Sequence, residues 1–260
     1  MSATRAQAHT QLALAGGPTA SDAGRVLTRT STRLAERSAA RPASGRVACA
    51  AERKQLTILF ADISGSTAMS RSVELDEWWS VLTDAYELMC EAVCRFGGWV
   101  GNFTGDGVQG VFDDRGRDGE HARRACEAAL WLRDSLRGLA TGPRRGRVLE
   151  LDVRIGINTG EALTGTIGGR YRRHYTACGF PVALAKRMES LAAPGGIYLS
   201  EHTAALVADE LDVRDLGSFE VKGVGSPVGV AELTGMKPSG GQHLHPIGRD
   251  AEALARACGA

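Results

Sequence analysis

The eight residues QLTILFAD, Gln55 to Asp62, constrain the chain more than any other stretch. Their apolar run reads as a buried strand that closes on a carboxylate, so a charge stands where a core strand leaves the interior. From Asp76 to Phe96 the pattern turns helical: Trp79, Leu82, Tyr86, Met89, Val93 and Phe96 recur at spacings of three and four, and Gly97-Gly98 stop it. A hairpin follows, Trp99 to Thr104 and Val108 to Phe112 flanking Gly105-Asp106-Gly107. A second helix is predicted from about Gly119 to Leu139, then a TGPRRGR loop and a strand from Leu149 to Gly160. ALTGTIGG and a polar loop lead to a short helix, Pro181 to Leu191, opened by proline. GIYLS, a helix at Glu201 to Ala208 and two strand-like pieces ending near Leu233 complete the order. This order predicts an α+β fold, a ferredoxin-like split βαββαβ sheet with helices on one face.

Residues 1–54 predict a disordered basic arm: they carry nine Lys/Arg against three acids and little hydrophobic periodicity. The folded domain is expected at 55–234 and a flexible tail at 235–260. Because the whole chain has a net charge of only +1, the domain is mildly acidic, which argues against nucleic acid as a partner. No apolar run approaches the roughly eighteen residues of a membrane span, and LALA near the N-terminus is too short for a secretory core, so a soluble, cytoplasmic protein without membrane contact is expected. The six cysteines form no CxxC pair, which argues against a zinc site or a disulfide framework.

Two carboxylates attract attention. Asp106 sits between two glycines at a hairpin tip, where a carboxylate is rigid and exposed, although Asp-Gly is also the commonest hairpin turn. Asp62 ends the buried strand. In a split βαββαβ sheet that strand lies beside the hairpin, so the two acids meet at one end. Two carboxylates with a backbone carbonyl suit two Mg²⁺ or Mn²⁺ ions. The turn Gly65-Ser66-Thr67 enters a helix and offers amides and a positive dipole end to a triphosphate, or serves simply as a helix cap.

FADISGST, GNFTGDGVQGVF, VRIGINTGEALTGTIGG, YTACGFPVALAKRMESLA and FEVKGVGSPVGVAEL together resemble, in order and spacing, the catalytic domain of class III nucleotide cyclases over about residues 54 to 234. The resemblance implies a nucleotide-cyclase-type fold and conversion of ATP or GTP to the cyclic 3′,5′-monophosphate and pyrophosphate. It implies two metal ions held by Asp62, Asp106 and the Ile63 carbonyl, and a homodimer with sites at its interface. It places Arg187 where charge builds on the α-phosphate, Lys222 on the phosphates, and Asn102 with Thr176 at the base. The tail segment HPIGRDAEALA resembles the opening of an ATPase module that follows a cyclase domain in some bacterial regulators.

The chain also departs from the family. The asparagine expected four residues before Arg187 is Ala183, whose methyl group donates no hydrogen bond. Lysine, common at the base position of adenylate cyclases, is Asn102, and its aspartate partner is Thr176. Phe180 and Pro181 replace small polar residues. Two readings follow: a slow adenylate cyclase of the phosphorus-oxygen lyase type with a signalling role, or a degenerate cyclase that binds nucleotide or dimerises without turnover.

Overall fold

The computed structural model describes residues 51–114, 120–140 and 151–238. The basic arm up to residue 50, the TGPRRGR loop and the tail from 239 lie outside them. Eight strands form one sheet: β1 (Glu52–Ile63), β2 (Trp99–Phe103), β3 (Gly107–Asp113), β4 (Val153–Gly168), β5 (Arg173–Cys178), β6 (Ile197–Ser200), β7 (Leu211–Phe219) and β8 (Val228–Met236). Their order is β2-β3-β1-β4-β6-β8-β7, with β5 paired to β4 off that path. The helices are α1 (Ser66–Met69), α2 (Leu75–Arg95), α3 (Glu120–Ala140), α4 (Phe180–Leu191) and α5 (Glu201–Val207).

The expected α+β class and the split βαββαβ core are present: β1, α2, β2, β3, α3 and β4 give the order β2-β3-β1-β4, with β1 antiparallel to both neighbours. Helices lie on both faces rather than one. Leu59, Ala61 and Ile63 of β1 join Met89 and Val93 of α2 and Ala125, Ala129 and Leu132 of α3 on one side. Leu56, Ile58 and Phe60, the alternate positions, pack with Ala185 of α4 on the other. The cause is Gly156 on β4: a Cβ there would come within 1.9 Å of the Glu189 nitrogen and 2.4 Å of the Ala185 carbonyl oxygen, so α4 rests directly on the strand backbone.

β5 was read as a polar loop. Its residues RHYTAC are partly exposed and mostly polar, yet they pair with the far half of β4 from Leu163↔Cys178 to Gly168↔Arg173. A buried polar thread crosses the sheet beneath α4. His121 Nδ1 and the Thr57 hydroxyl lie 2.7 Å apart, and Thr57 meets the Thr159 hydroxyl at 2.8 Å. Thr203 donates to Thr159 (3.1 Å), Ser200 meets Thr203 (3.0 Å) and donates to Asn158 Oδ1 (2.7 Å), and Asn158 Nδ2 donates to the Pro181 carbonyl (3.0 Å). Each side chain of this thread thus finds a partner, and the first turn of α4 is tied to the core.

Candidate active site

The end of β1 and the β2–β3 hairpin meet. Asp62 pairs in register with Gly107, and the Ile63 amide donates to the Asp106 carbonyl (3.4 Å). The two glycines have different causes: Gly105 has φ +79°, whereas a Cβ on Gly107 would come within 2.2 Å of the Ala61 carbonyl oxygen. The Tyr86 hydroxyl of α2 donates to the Gly105 carbonyl, and its ring meets Phe103 edge-on at 5.4 Å. The tip that carries Asp106 is therefore held by strand, helix and ring together. Tyr86 looked in the sequence like a plain core position.

Asp62 is buried, and its acidity is weakened first by that burial and second by the charge of Asp106, with Arg154 and Lys186 pulling the other way. A carboxylate whose folded pKa is raised contributes stability below its unfolded value and loses it as pH rises through the folded value, so the charged form costs stability near neutrality. Arg154 Nη2 lies 2.9 Å from Asp62 Oδ2 and 3.3 Å from Glu189 Oε1. Lys186 Nζ lies 2.7 Å from Glu189 Oε2 and 4.0 Å from Asp62 Oδ1. The Glu189 side chain is only 1% exposed. Arg154, Lys186 and Glu189 were not among the expected site residues. One signal was available: Glu189 is an acid on the buried stripe of α4, beside Ala185 and Met188.

The turn after Asp62 differs from expectation. Gly65, left-handed at φ 72°, precedes α1, and neither Ser66 nor Thr67 caps it through a side chain. A four-residue helix has little dipole, so what this turn presents to the rim is backbone geometry rather than a helix end.

Asn102 lies on β2 and Thr176 on β5, two strands joined through their neighbours. Asn102 pairs with Gln109, whose Nε2 reaches the Ala177 carbonyl at 3.5 Å, and the Trp99 and Tyr175 rings lie 5.0 Å apart. Asn102 is exposed and Thr176 buried. Arg187 and exposed Ala183 share the outward face of α4, while Leu184, Ala185, Met188 and Glu189 face inward. Lys222 is exposed in the turn after Val221, which packs with Leu184 and Met188. Within one chain these are three groups. Asp62 forms its ion pairs with Arg154 and Lys186, and neither Arg187 nor Lys222 is among them.

Among the described residues no three His, Cys, Asp or Glu side chains assemble into a metal cage. Asp62 and Asp106, brought to one rim, fit Mg²⁺ or Mn²⁺ nonetheless, because such ions are commonly held by one or two carboxylates while substrate phosphates supply other ligands. No helix among the described residues is long and apolar enough to cross a membrane.

Comparison with known proteins bears on the family and the fold. The model of the adenylate and guanylate cyclase catalytic domain matches residues 49–233. Adenylate cyclase 1 of Rhizobium meliloti is 30% identical over 189 residues, which cover 72% of this chain and 28% of that protein. The chain thus spans less than a third of that relative's length. The structure of the adenylyl cyclase CyaB from P. aeruginosa matches with TM-score 0.69 and 31% identity over 72% of this chain and 97% of that one. The GTP complex of the guanylate cyclase domain of RhGC from Catenaria anguillulae shares the fold, with TM-score 0.63 and 24% identity over 72% of this chain and all of that one. The chain belongs to the adenylate and guanylate cyclase catalytic domain family.

Proposed function

We propose that this family member cyclises a nucleoside triphosphate, ATP in preference to GTP, in a homodimer whose two sites lie between the copies. The observation that carries the reading is the meeting of Asp62 and Asp106 at one rim, where burial and the charge of Asp106 both raise the Asp62 pKa. Asp62, Asp106 and the Ile63 carbonyl would hold two Mg²⁺ or Mn²⁺ ions, which when bound acidify the ribose 3′-hydroxyl and neutralise phosphate charge. The 3′-oxygen forms a bond to the α-phosphorus, the bond from that phosphorus to the bridging oxygen breaks, and pyrophosphate leaves with the electron pair while the hydroxyl proton is released. Arg154 is charged and beside Asp62, so it draws the phosphates toward the rim. Arg187, on the outward face of α4 in the second copy, meets charge developing on the α-phosphate, and Lys222 of that copy binds phosphate oxygens. Asn102 and Thr176 contact the base. Asn102 both donates and accepts, which weakens the choice between adenine and guanine.

One observation favours the degenerate reading: Ala183 stands exposed on the face of Arg187 with no group to donate. A cyclic-nucleotide assay of the purified chain with ATP and with GTP in Mn²⁺ separates the two. Product that disappears in Asp106→Ala supports cyclisation. An intact dimer that binds nucleotide and yields no product supports the degenerate form.

A further inference from the structure

Lys186 has no role in the chemistry above, yet its ammonium lies against the acid that the metal needs. It sits on α4 next to Arg187, but points the other way, inward along the sheet of its own chain. Its stem crosses the Phe60 ring with Nζ 5.5 Å from the centroid, and its charge stands between Glu189 (2.7 Å) and Asp62 (4.0 Å). With Arg154 on Oδ2 and Lys186 on Oδ1, each oxygen of Asp62 faces a cation. Glu189, buried and facing the same two cations, is an alternative seat for both.

We infer that Lys186 is a built-in competitor for the divalent ion at Asp62, and that Glu189 receives it when the ion binds. The inference rests on the metal reading proposed above. Without nucleotide, the ion must enter beside two positive charges, and its affinity is low. Lys186 is closest to Glu189 already, so leaving Asp62 breaks no short contact, and its charge then stands beside incoming phosphates instead of opposing the metal alone. Nucleotide and metal therefore raise each other's affinity, and Lys186 enlarges that coupling. Lys186 is a positioning residue in this account. Opposition between a single charge and a doubly charged ion a few ångströms apart, in solvent-accessible surroundings, corresponds to an effect on the order of tenfold in affinity.

The test is Mn²⁺ binding to the full chain, read from the electron paramagnetic resonance signal of free Mn²⁺, first without nucleotide and then with 3′-deoxy-ATP, which lacks the hydroxyl that cyclises. Lys186→Met keeps an unbranched stem over Phe60 and removes the charge; Lys186→Arg keeps the charge. Lys186→Met is expected to bind Mn²⁺ about tenfold more tightly than wild type without nucleotide and to gain less from 3′-deoxy-ATP, with Lys186→Arg resembling wild type. A merely structural role does not tighten metal binding. Unchanged or weaker Mn²⁺ binding in Lys186→Met, or Lys186→Arg behaving like Lys186→Met, overturns the inference while leaving the metal site standing. Asp106→Ala separates the two failures: if it binds Mn²⁺ as wild type does, the metal reading falls and the inference falls with it.

Discussion

The strand-end rim and the outward face of α4 are built on different terms. At the rim, Asp62 closes a strand buried on both faces, Gly107 is forced by the Ala61 carbonyl, and Tyr86 pins the tip, so the position of each acid is set by many neighbours at once. On the outward face of α4, Ala183 is exposed and Arg187 half-buried, and the packing of the helix depends instead on Leu184, Ala185 and Met188. A residue on such a face is free to change without harm to the fold. Substitution at Ala183 can therefore test function without disturbing the fold, whereas the glycines around Asp106 are demanded by backbone geometry whatever the activity.

The largest effect that would break this contrast is expected at the rim. Asp106→Ala removes one of two acids from a part-exposed tip, so the fold is retained and cyclisation of ATP in Mn²⁺ falls at least about a thousandfold. An unchanged rate measured as cyclic product would show that the rim is structural only. Second is Ala183→Asn. It returns an amide donor to an exposed helix position, and kcat is expected to rise by about 10²–10³ with little change in thermal stability. A flat kcat would mean that the outward face of α4 does not meet the reacting phosphate.

The same contrast explains what could be read in the sequence. Asp62 and Asp106 were legible because each follows from local rules, a buried run ending in a charge and a turn flanked by glycines. The partners of Asp62 were not. Arg154, Lys186 and Glu189 each look like an ordinary polar residue of a strand or helix; the β1–β4 register brings Arg154 opposite Asp62, and the seating of α4 on Gly156 brings Lys186 and Glu189 to the rim. Proline also identified where α4 opens, but nothing local told which face of the sheet it covers. β5 was hidden by the polar residues that its exposure permits. The proposed roles of Arg187, Lys222, Asn102 and Thr176 rest on the family resemblance, and spacing alone would not have singled them out.

At the base-binding edge a smaller effect is expected. Asn102→Lys replaces a group that donates and accepts with one that only donates, which suits the N1 acceptor of adenine and opposes the N1–H of guanine. The ratio of kcat/KM for ATP over GTP is expected to rise about tenfold. An unchanged ratio would separate this edge from base choice.

The smallest effect sharpens the contrast from beneath, through the thread that ties α4 to the core. Burial holds the His121 pKa below its usual 6.5, while Asp114, 3.7 Å from Nε2, pulls it weakly upward. With Nδ1 unprotonated the neutral ring accepts from Thr57, whereas a protonated ring donates there, so the Thr57 hydroxyl must turn its proton elsewhere along the thread. Since the folded value lies below the unfolded one, the stability that His121 contributes is full above about pH 6.5 and is lost as pH falls through the folded value. His121→Gln, which retains an acceptor but cannot titrate in this range, should melt at a temperature less dependent on pH than wild type. If the thread positions α4 as well as stabilising it, wild-type kcat should fall over the same pH range more than that of His121→Gln; equal profiles would confine the thread to stability.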